Sequence, residues 1–200
     1  MKKIAVLASG NGSNFEALVK AVRRQKISAE VSLLVTDCEK AYVRDRAKRL
    51  GVNQLFLNPK DYSHRQDFYR KLTVVLRKEK IDIVVLAGYM RILNADFVKT
   101  FKNRIINIHP AILPAFKGVD SIKRAYQYGC KVFGVTIHFV DEQIDNGPII
   151  LQGSLKINNG ESLDCLESRI HKLEHKLYPQ ALELLVNNRL KVKGRMVSIL

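Results

Sequence analysis

The apolar positions in the first half of the chain follow two alternating patterns. Short runs of branched aliphatic residues, typical of strands, are separated by longer segments whose apolar residues recur every three or four positions, as in an amphipathic helix. In residues 14–24, for example, Phe15, Leu18 and Val22 fall on one helical face. The patterns predict strands at 4–8, 31–36, 54–57 and 81–87, separated by helices at 14–24, 41–50 and 64–80.

The second half of the chain has a more mixed pattern. It predicts a short strand at 105–108, a helix at 121–128 that ends at Gly129, two antiparallel strands at 133–140 and 148–157, and a helix at 161–188 interrupted near Pro179. Strands that alternate with helices indicate a parallel sheet with right-handed crossovers. Continuous apolar strands are covered on both faces. We therefore predict a single α/β domain over residues 1–200: a doubly wound, mostly parallel sheet flanked by helices on both faces, with a mixed C-terminal part.

Composition narrows the class of protein. The chain has 200 residues, 46% of them hydrophobic and 26% charged, which is ordinary for a globular domain and unlike a disordered or fibrous chain. No apolar run reaches the ~20 residues of a membrane span, and the N-terminal apolar stretch is too short for a signal peptide. The cysteines, 3 in all, show no CxxC spacing and are expected to be reduced thiols. We therefore expect a cytoplasmic protein with no membrane partner.

Charge is the unusual property of the composition. Lys and Arg number 34 and Asp and Glu 19, which gives a formal net charge of +15. A basic surface attracts anions, and the candidates are a nucleic acid, a membrane surface or a small phosphate or polycarboxylate. Because the basic residues are spread along the whole chain and form no tail, charge alone does not choose among these partners.

A glycine-rich turn with the sequence SGNGSN, residues 9–14, lies between the first predicted strand and the first helix. Backbone N–H groups of such a turn can bind an anion at a helix N-terminus. The turn departs from G-x-G-x-x-G, and no clear acidic residue follows the second strand to hold a ribose, although Asp37 is a candidate. A phosphate is therefore favoured over NAD, and a simple tight turn that caps the helix is the alternative.

A candidate catalytic pair lies at the end of the short strand at 105–108. Asn107 and His109 are two residues apart in an extended segment and so point to the same face. An Asn amide can donate to an oxyanion, and a His can move a proton near neutral pH. If Asp145, in the acidic loop 141–148, lies beside His109, it would raise the pKa of the imidazole and orient the ring. The alternatives are a packed histidine and a solvated acidic turn.

Other segments carry weaker signals. The sequence AGYMRIL at 87–93 follows a buried strand at the end where α/β sheets bind ligands, and it can hold a flat heterocycle or simply pack against a helix. His171 and His175 are four apart on a predicted helix but lack the H-E-x-x-H pattern, so no metal site is expected. No G-x-S-x-G nucleophile motif is present.

Together these segments resemble the phosphoribosylglycinamide formyltransferases, folate-dependent enzymes of purine biosynthesis. The resemblance runs over nearly the whole chain, through IAVLASGNGSNFEAL, VVLAGYMRIL, NIHPAILPAFKG, GVTIHFVDEQIDNGPIILQ and LEHKLYP. It implies the Rossmann-like formyltransferase fold and transfer of a formyl group from 10-formyltetrahydrofolate, the co-substrate, to the amino group of glycinamide ribonucleotide. Direct attack by the amine needs neither a metal nor a covalent enzyme intermediate.

The resemblance also implies roles for individual residues. Asn107, His109 and Asp145 match the catalytic trio, and Glu174 matches the position that holds the glycinamide amino end. The ribonucleotide phosphate would bind at Gly12, Ser13 and Asn14. The folate positions are Arg65, Met90, Arg91, Ile92, Leu93, Asn107, Asp141, Glu142, Gln143, Ile144 and Asp145. Residues 1–100 would form the phosphate-binding half and residues 101–200 the catalytic and folate-binding half.

In two places the chain departs from the family pattern. Ala111-Ile112 stands where many members have Ser-Leu, and the stretch 118–121 lacks the histidine that members often carry, so no role is assigned there. The basic surface is expected to attract the ribonucleotide phosphate and the glutamate tail of folate.

Three other functions compete with this interpretation. A formyltetrahydrofolate deformylase shares the catalytic trio but usually has an N-terminal regulatory domain, for which we expect no room. A methionyl-tRNA formyltransferase would suit the charge but adds a C-terminal RNA-binding barrel, for which the residues after Leu190 are too few. A nucleic-acid-binding protein would show clustered basic residues with interleaved aromatics, and no such motif is found, so no nucleic-acid partner is expected. The chain can be a monomer or a homodimer.

Overall fold

The computed structural model describes residues 1–200. Its strands are β1 (Lys2–Leu7), β2 (Ala29–Thr36), β3 (Asn53–Phe56), β4 (Ile83–Leu86), β5 (Ile105–His109), β6 (Val132–Phe139), β7 (Ile149–Lys156), β8 (Leu190–Lys193) and β9 (Met196–Ile199). Its helices are α1 (Ser13–Arg23), α2 (Val43–Arg49), α3 (Arg65–Lys78), α4 (Ala95–Thr100), α5 (Ser121–Tyr128) and α6 (Leu163–Val186), with a 3-10 turn at Pro59–Asp61. Each predicted strand and helix is present, with ends shifted by a few residues at most.

Seven strands form one sheet in the order β3-β2-β1-β4-β5-β6-β7. β1 pairs in parallel with β2 and β4, β2 pairs in parallel with β3, and β6 pairs antiparallel with β7. Every residue of β4 is buried, which requires that both faces of the sheet be covered at this strand. The predicted doubly wound, mostly parallel sheet with a mixed C-terminal part is therefore confirmed.

The chain divides into two compact units, Met1–Ile106 and Asn107–Leu200, with the boundary inside β5. The first unit contains β1 to β4 and α1 to α4, and its fully buried side chains include Phe15, Leu34, Leu72 and Phe97. The second unit contains β6, β7, α5, α6 and the hairpin β8–β9, and its core includes Phe133, Ile137, Ile170, Tyr178 and Leu182. Each unit thus has apolar residues enough for its own core.

The predicted interruption of the last long helix near Pro179 is wrong. α6 runs without a break from Leu163 to Val186 with Pro179 inside it. A proline removes one backbone hydrogen bond from a helix and crowds the preceding turn. Tyr178, Ala181 and Leu182 around it are completely buried, and we attribute the continuity of the helix to this packing.

The helix α4, the hairpin β8–β9 and the 3-10 turn at Pro59–Asp61 were not predicted from the sequence. The short helix α4 begins at Asn94, whose Oδ1 accepts a hydrogen bond from Phe97 N at 2.9 Å, and it buries Phe97 and Val98. The hairpin β8–β9 turns at Gly194, which has a φ of 60°, and most of its side chains are exposed. None of the helices combines the length and hydrophobicity that a membrane span requires.

Candidate active site

The three side chains predicted to be catalytic meet in the second unit. Asn107 and His109 lie on the same face of β5, and the loop after β6 brings Asp145 to both of them. His109 Nδ1 is 3.4 Å from Asp145 Oδ2, and Asn107 Nδ2 is 3.5 Å from Asp145 Oδ1. The side chains of His109 and Asp145 are 6% and 11% exposed, so their interaction is only weakly screened by water.

Asp145 is held in an uncommon backbone conformation. Its φ is 46°, in the left-handed region that residues other than glycine rarely adopt. Gly118 N donates a hydrogen bond of 2.8 Å to Asp145 Oδ2. Burial raises the pKa of the carboxyl, but the contacts with His138 and Gly118 and the nearby imidazole rings outweigh burial and hold the pKa of Asp145 below its usual range. Asp145 is therefore an anion at neutral pH.

His109 lies between two hydrogen-bond acceptors. Its Nε2 is 2.9 Å from the carbonyl oxygen of Phe116, and its Nδ1 faces the Asp145 carboxylate. Burial lowers the pKa of His109, and the Asp145 carboxylate and the Phe116 carbonyl, which act in the opposite direction, do not offset it. Asp145 thus raises the imidazole pKa as expected from the sequence, but burial is the larger effect. The resting imidazole is neutral, with one N–H for two acceptors.

His138 belongs to the same cluster and was missed in the sequence analysis. It is 2% exposed on β6, its Nδ1 is 2.7 Å from the Phe139 carbonyl oxygen, and its Nε2 is 3.3 Å from Asn107 Nδ2. Because a carbonyl only accepts, Nδ1 carries a proton, and Nε2 lies between the Asn107 amide and Asp145 Oδ1, which is 3.8 Å away. The available signal was the polar pair Thr136 and His138, which share one face of an otherwise apolar strand.

Glu174 is a buried acid on α6, with 4% of its surface exposed. His171 Nδ1 lies 3.0 Å from Glu174 Oε2, and this contact raises the pKa of His171. The Glu174 charge also raises the pKa of His109, although less than Asp145 does. Glu174 therefore adds negative charge to the cluster. No group of three or more His, Cys, Asp or Glu side chains is arranged to hold a metal ion.

The glycine-rich turn lies in the first unit, where α1 begins. Gly12 has a φ of 78°, and α1 has no side-chain cap, so the N–H groups of its first turn are not satisfied in that way. A Cβ on Gly12 would lie 2.4 Å from Val43 Cγ2, so only glycine fits. Asp37, the candidate ribose ligand, instead accepts a hydrogen bond of 2.6 Å from Ser9 Oγ at the start of the turn.

The loop that follows β4 carries the predicted folate positions of the first unit. Arg65 Nη2 donates to the Leu93 carbonyl at 3.0 Å and also to the Ile92 carbonyl, so Arg65 holds the loop backbone. Met90 N donates to Ser9 Oγ at 3.0 Å, which joins this loop to the glycine-rich turn. Met90 and Ile92 are 73% and 53% exposed, so their apolar side chains are accessible to a ligand. Arg91 stacks over Phe68 with its guanidinium carbon 5.2 Å from the ring centre.

The remaining predicted folate positions lie in the loop that carries Asp145. Asp141 accepts from Gln143 N at 2.9 Å and from Asn146 Nδ2 at 3.1 Å, so it shapes the turn. Glu142 and Ile144 are exposed, as is Gln143. The structure therefore brings Asp145 to Asn107 and His109 and leaves its neighbours at the surface of the loop.

Comparison with known proteins places this arrangement in a family. The family model of the formyl transferases matches residues 2–182. The phosphoribosylglycinamide formyltransferase of Bacillus subtilis (strain 168) is 43% identical over 191 residues, which are 94% of this chain and 98% of that protein. The trifunctional purine biosynthetic protein adenosine-3 of Drosophila melanogaster is 41% identical over 199 residues, 98% of this chain but 15% of that protein.

Solved structures agree with the sequence comparison. The glycinamide ribonucleotide transformylase 1 of Symbiobacterium toebii has a TM-score of 0.97 at 40% identity, over 100% of this chain and 94% of that one. A formyltetrahydrofolate deformylase of Pseudomonas syringae has a TM-score of 0.91 at 22% identity, covering 99% of this chain and 65% of that one, which shows a shared fold only. The chain belongs to the formyl transferase family.

Proposed function

We propose that this chain transfers the formyl group of 10-formyltetrahydrofolate to the amino group of glycinamide ribonucleotide, a step of purine biosynthesis. The observation that carries the proposal is the cluster in which His109 Nδ1 lies 3.4 Å from Asp145 Oδ2 beside Asn107. It occurs in a chain 43% identical to a protein named phosphoribosylglycinamide formyltransferase. The cluster supplies an amide donor, a neutral imidazole and a carboxylate, which are the groups that direct formyl transfer needs.

The chemistry requires that one proton change place. The acceptor amine attacks the formyl carbon, its C–N bond forms as the carbonyl π electrons move to oxygen, and the bond to folate N10 then breaks. The amine nitrogen loses a proton, and N10 gains one. His109 takes the first proton and delivers the second, because protonation gives each of its two acceptors, Asp145 Oδ2 and the Phe116 carbonyl, its own N–H.

Asn107 stabilises the negative oxygen that forms during the attack. Its amide nitrogen has two hydrogens, one directed at His138 Nε2 at 3.3 Å and the other at Asp145 Oδ1 at 3.5 Å. The second contact is at the limit of a hydrogen bond, so this N–H is exchanged at little cost for the oxyanion. His138 keeps the amide in the orientation that presents its donor.

The substrates bind to groups that suit their charge. The ribonucleotide phosphate binds at Gly12, Ser13 and Asn14, where α1 begins without a side-chain cap. The buried Glu174 attracts the amino end of glycinamide. The folate binds at the positions that the resemblance implies: Arg65, Met90, Arg91, Ile92, Leu93, Asn107, Asp141, Glu142, Gln143, Ile144 and Asp145. Residues 1–100 thus hold the phosphate, and residues 101–200 perform the catalysis with most of the folate contacts.

Its partners are small molecules and not nucleic acid, and it acts in the cytoplasm as a monomer or a homodimer. The three free cysteines, Cys38, Cys130 and Cys165, suit a reducing compartment.

The test is a formyl-transfer assay with the purified protein. 10-Formyltetrahydrofolate is supplied with and without glycinamide ribonucleotide, and tetrahydrofolate and the formylated nucleotide are both measured. We expect tetrahydrofolate to form only when the ribonucleotide is present, in equal amount to the formylated product. Tetrahydrofolate release at the same rate without the ribonucleotide would identify a deformylase instead. The variant Asp145→Asn is assayed beside the parent protein. Its control is Asp164→Asn, which changes an exposed acid at the start of α6 in the same way.

A further inference from the structure

The glycine-rich turn is held from one side by α2. Val43 N donates a hydrogen bond of 3.1 Å to the Gly10 carbonyl, and Val43 occupies the space in which a Cβ of Gly12 would lie. Between these two contacts, Arg46 reaches back from the next turn of α2 to Asn11. Three consecutive residues of the turn are therefore fixed against a single short helix.

Arg46 donates two hydrogen bonds to Asn11. Its Nε donates to the Asn11 carbonyl at 2.8 Å, and its Nη2 donates to Asn11 Oδ1 at 2.9 Å. The planar guanidinium presents these donors in a fixed fork, so the two bonds define the orientation of Asn11 rather than only its position. The guanidinium carbon of Arg46 lies over the Tyr42 ring, 5.0 Å from its centre, and this stacking further restricts the Arg46 side chain.

The hydrogen bond to the Asn11 carbonyl also determines where the N–H group of Gly12 points. In a trans peptide the C=O of one residue and the N–H of the next lie in one plane and point in opposite directions. Because the Asn11 carbonyl is directed at Arg46 and the Gly10 carbonyl at Val43 N, the N–H groups of Gly12 and Asn11 point away from α2. These are the donors that a glycine-rich turn offers to an anion.

Arg46 is itself held by Glu16 in the first turn of α1. Glu16 Oε2 accepts from Arg46 Nη1 and, at 2.9 Å, from Arg49 Nη2, while Oε1 is 2.6 Å from Lys20 Nζ. The hydrogen bond from Lys20, together with Arg46, lowers the pKa of Glu16 to about 2, so the carboxylate is ionised at any working pH. Arg46 and Arg49 thus share one partner, but only Arg46 also contacts the turn.

We infer that Arg46 is a positioning residue for phosphate binding: it orients the N–H groups of the glycine-rich turn toward the ligand and does not contact the ligand itself. This inference rests on the proposed function in that the ligand is the phosphate of the ribonucleotide. It predicts an effect on the affinity for the phosphate-bearing substrate alone. The fork of Arg46, and not its charge, is the property that matters.

Three variants separate these properties. Arg46→Lys keeps the positive charge and removes the fork, and Arg46→Met removes both. Arg49→Met removes a positive charge that faces Glu16 and leaves the contacts with Asn11 unchanged. We expect both Arg46 variants to raise the KM for glycinamide ribonucleotide about tenfold or more, with kcat and the KM for 10-formyltetrahydrofolate within about twofold of the parent. Arg49→Met should leave all three constants within about twofold. Thermal unfolding confirms that each variant is folded, and Arg46→Lys decides the question if Arg46→Met does not fold.

Other results would overturn the inference. Normal kinetics in Arg46→Lys would mean that only the positive charge matters. An equal rise in KM in Arg49→Met would mean that the effect passes through Glu16. A fall in kcat together with both KM values rising would indicate a general loss of structure.

Calorimetric titration with ribose 5-phosphate separates this inference from the proposed function. If the parent protein binds ribose 5-phosphate but transfers no formyl group, the proposed function fails while Arg46 is still tested, because weaker binding is expected in both Arg46 variants and not in Arg49→Met. If the parent binds no ribose 5-phosphate, there is no phosphate-binding turn and the inference is wrong.

Discussion

At the scale of single residues, the proposed chemistry depends on the balance between burial and charge at His109. Burial lowers the pKa of the imidazole, and the Asp145 carboxylate raises it without offsetting burial. The ring is therefore neutral at neutral pH and can accept a proton, as the proposed transfer requires. Once protonated, it has a carboxylate and a carbonyl as acceptors for its two N–H groups.

Titration of the histidine ring protons by NMR tests this balance. We expect the pKa of His109 to lie below 6.5, the ordinary value for histidine, and to fall further in Asp145→Asn, because the charge that raises it is removed. His171 provides the internal control, since its pKa is raised by Glu174 and should not change in the variant. A pKa of His109 at or above 6.5 in the parent protein would contradict the neutral resting state.

The lowered pKa of His109 makes the stability of the protein depend on pH. The folded-state pKa of His109 is lower than the unfolded one, so the unfolded chain binds more protons as the pH falls below about 6.5. Asp145 acts in the same direction at lower pH, since its folded pKa is also lowered. We expect urea denaturation to show a free energy of unfolding that declines below pH 6.5, and a smaller decline over this first range in His109→Gln. An identical decline in the two proteins would show that His109 contributes nothing.

Asp145 can be tested for catalysis separately from its backbone strain. Asparagine tolerates the φ of 46° at this position, whereas alanine pays a conformational penalty of about 1–2 kcal/mol. We expect both Asp145→Asn and Asp145→Ala to lower kcat by about 10²–10⁴-fold, and only Asp145→Ala to show the added loss of stability in urea. A variant Asp145→Asn with near-normal kcat would remove Asp145 from the mechanism.

At the scale of elements, the site depends on the pairing of β6 with β7. β6 carries His138 and leads into the loop that carries Asp145, and β7 follows that loop directly. The two strands approach so closely at Gly134 that a Cβ there would lie 2.1 Å from the Gly153 carbonyl oxygen. At Gly153, a Cβ would instead meet the end of the flexible Leu177 side chain at 2.5 Å.

This difference predicts unequal effects of two similar substitutions. We expect Gly134→Ala to lower the free energy of unfolding by about 3 kcal/mol or more, because the backbone of β7 must move. Gly153→Ala should cost about 1 kcal/mol, because Leu177 can change rotamer. Urea denaturation of both variants measures the difference, and equal losses would show that the two strands do not approach as described.

The elements also show what sequence patterns can predict and what they cannot. The continuous apolar run of β4 indicated a strand covered on both faces, because no solvated strand would tolerate it. The six residues of α4 offer less than two turns of periodicity, so this helix has too little pattern to be recognised. The break near Pro179 was predicted from the hydrogen bond that a proline removes from a helix. The burial of Tyr178 beside it comes from tertiary packing, which no local sequence pattern contains.

The same limit applies to the candidate site. Asn107 and His109 share a face by the geometry of a strand, and this followed from their spacing. The contact of His109 with Asp145 depends on the conformation of a loop distant in sequence, in which Asp145 has a left-handed φ. The sequence analysis therefore could not predict this contact and only considered what it would imply. His138 was overlooked because its one signal, the polar pair that it forms with Thr136 on one face of β6, is too short to stand out in an apolar strand.

At the scale of the molecule, the structure shows where much of the positive charge lies. In the first unit, many basic residues lie in the last turn of a helix or within three residues after it: Arg23, Arg24, Lys26, Arg77, Lys78, Lys80 and Lys102. Acidic residues occupy the first turns of its helices: Glu16, Asp45, Asp67 and Asp96. This is the distribution that helix dipoles favour. Beside the glycine-rich turn, Lys20, Arg46 and Arg49 all share the Glu16 carboxylate, which offsets part of their positive charge.

The expectation that the basic surface attracts the substrates stays a prediction that salt can test. Because Glu16 offsets part of the charge beside the turn, we expect the attraction to be weak there. We expect the kcat/KM for glycinamide ribonucleotide to change by less than about threefold between 20 and 200 mM salt, since strong steering would produce a much steeper dependence. Steady-state kinetics over this range measure it. A decline of tenfold or more would mean that long-range attraction governs capture of the ribonucleotide.

The fate of the formyl carbon tests the central proposal most directly. With enzyme in excess, a single turnover of 10-formyltetrahydrofolate labelled with ¹³C in the formyl group is followed by NMR in the presence of glycinamide ribonucleotide. We expect the label to move to the amide carbon of the formylated ribonucleotide without passing through free formate, and to stay on the folate in Asp145→Asn. Label released as formate by the parent protein would contradict direct transfer and would make the chain a hydrolase.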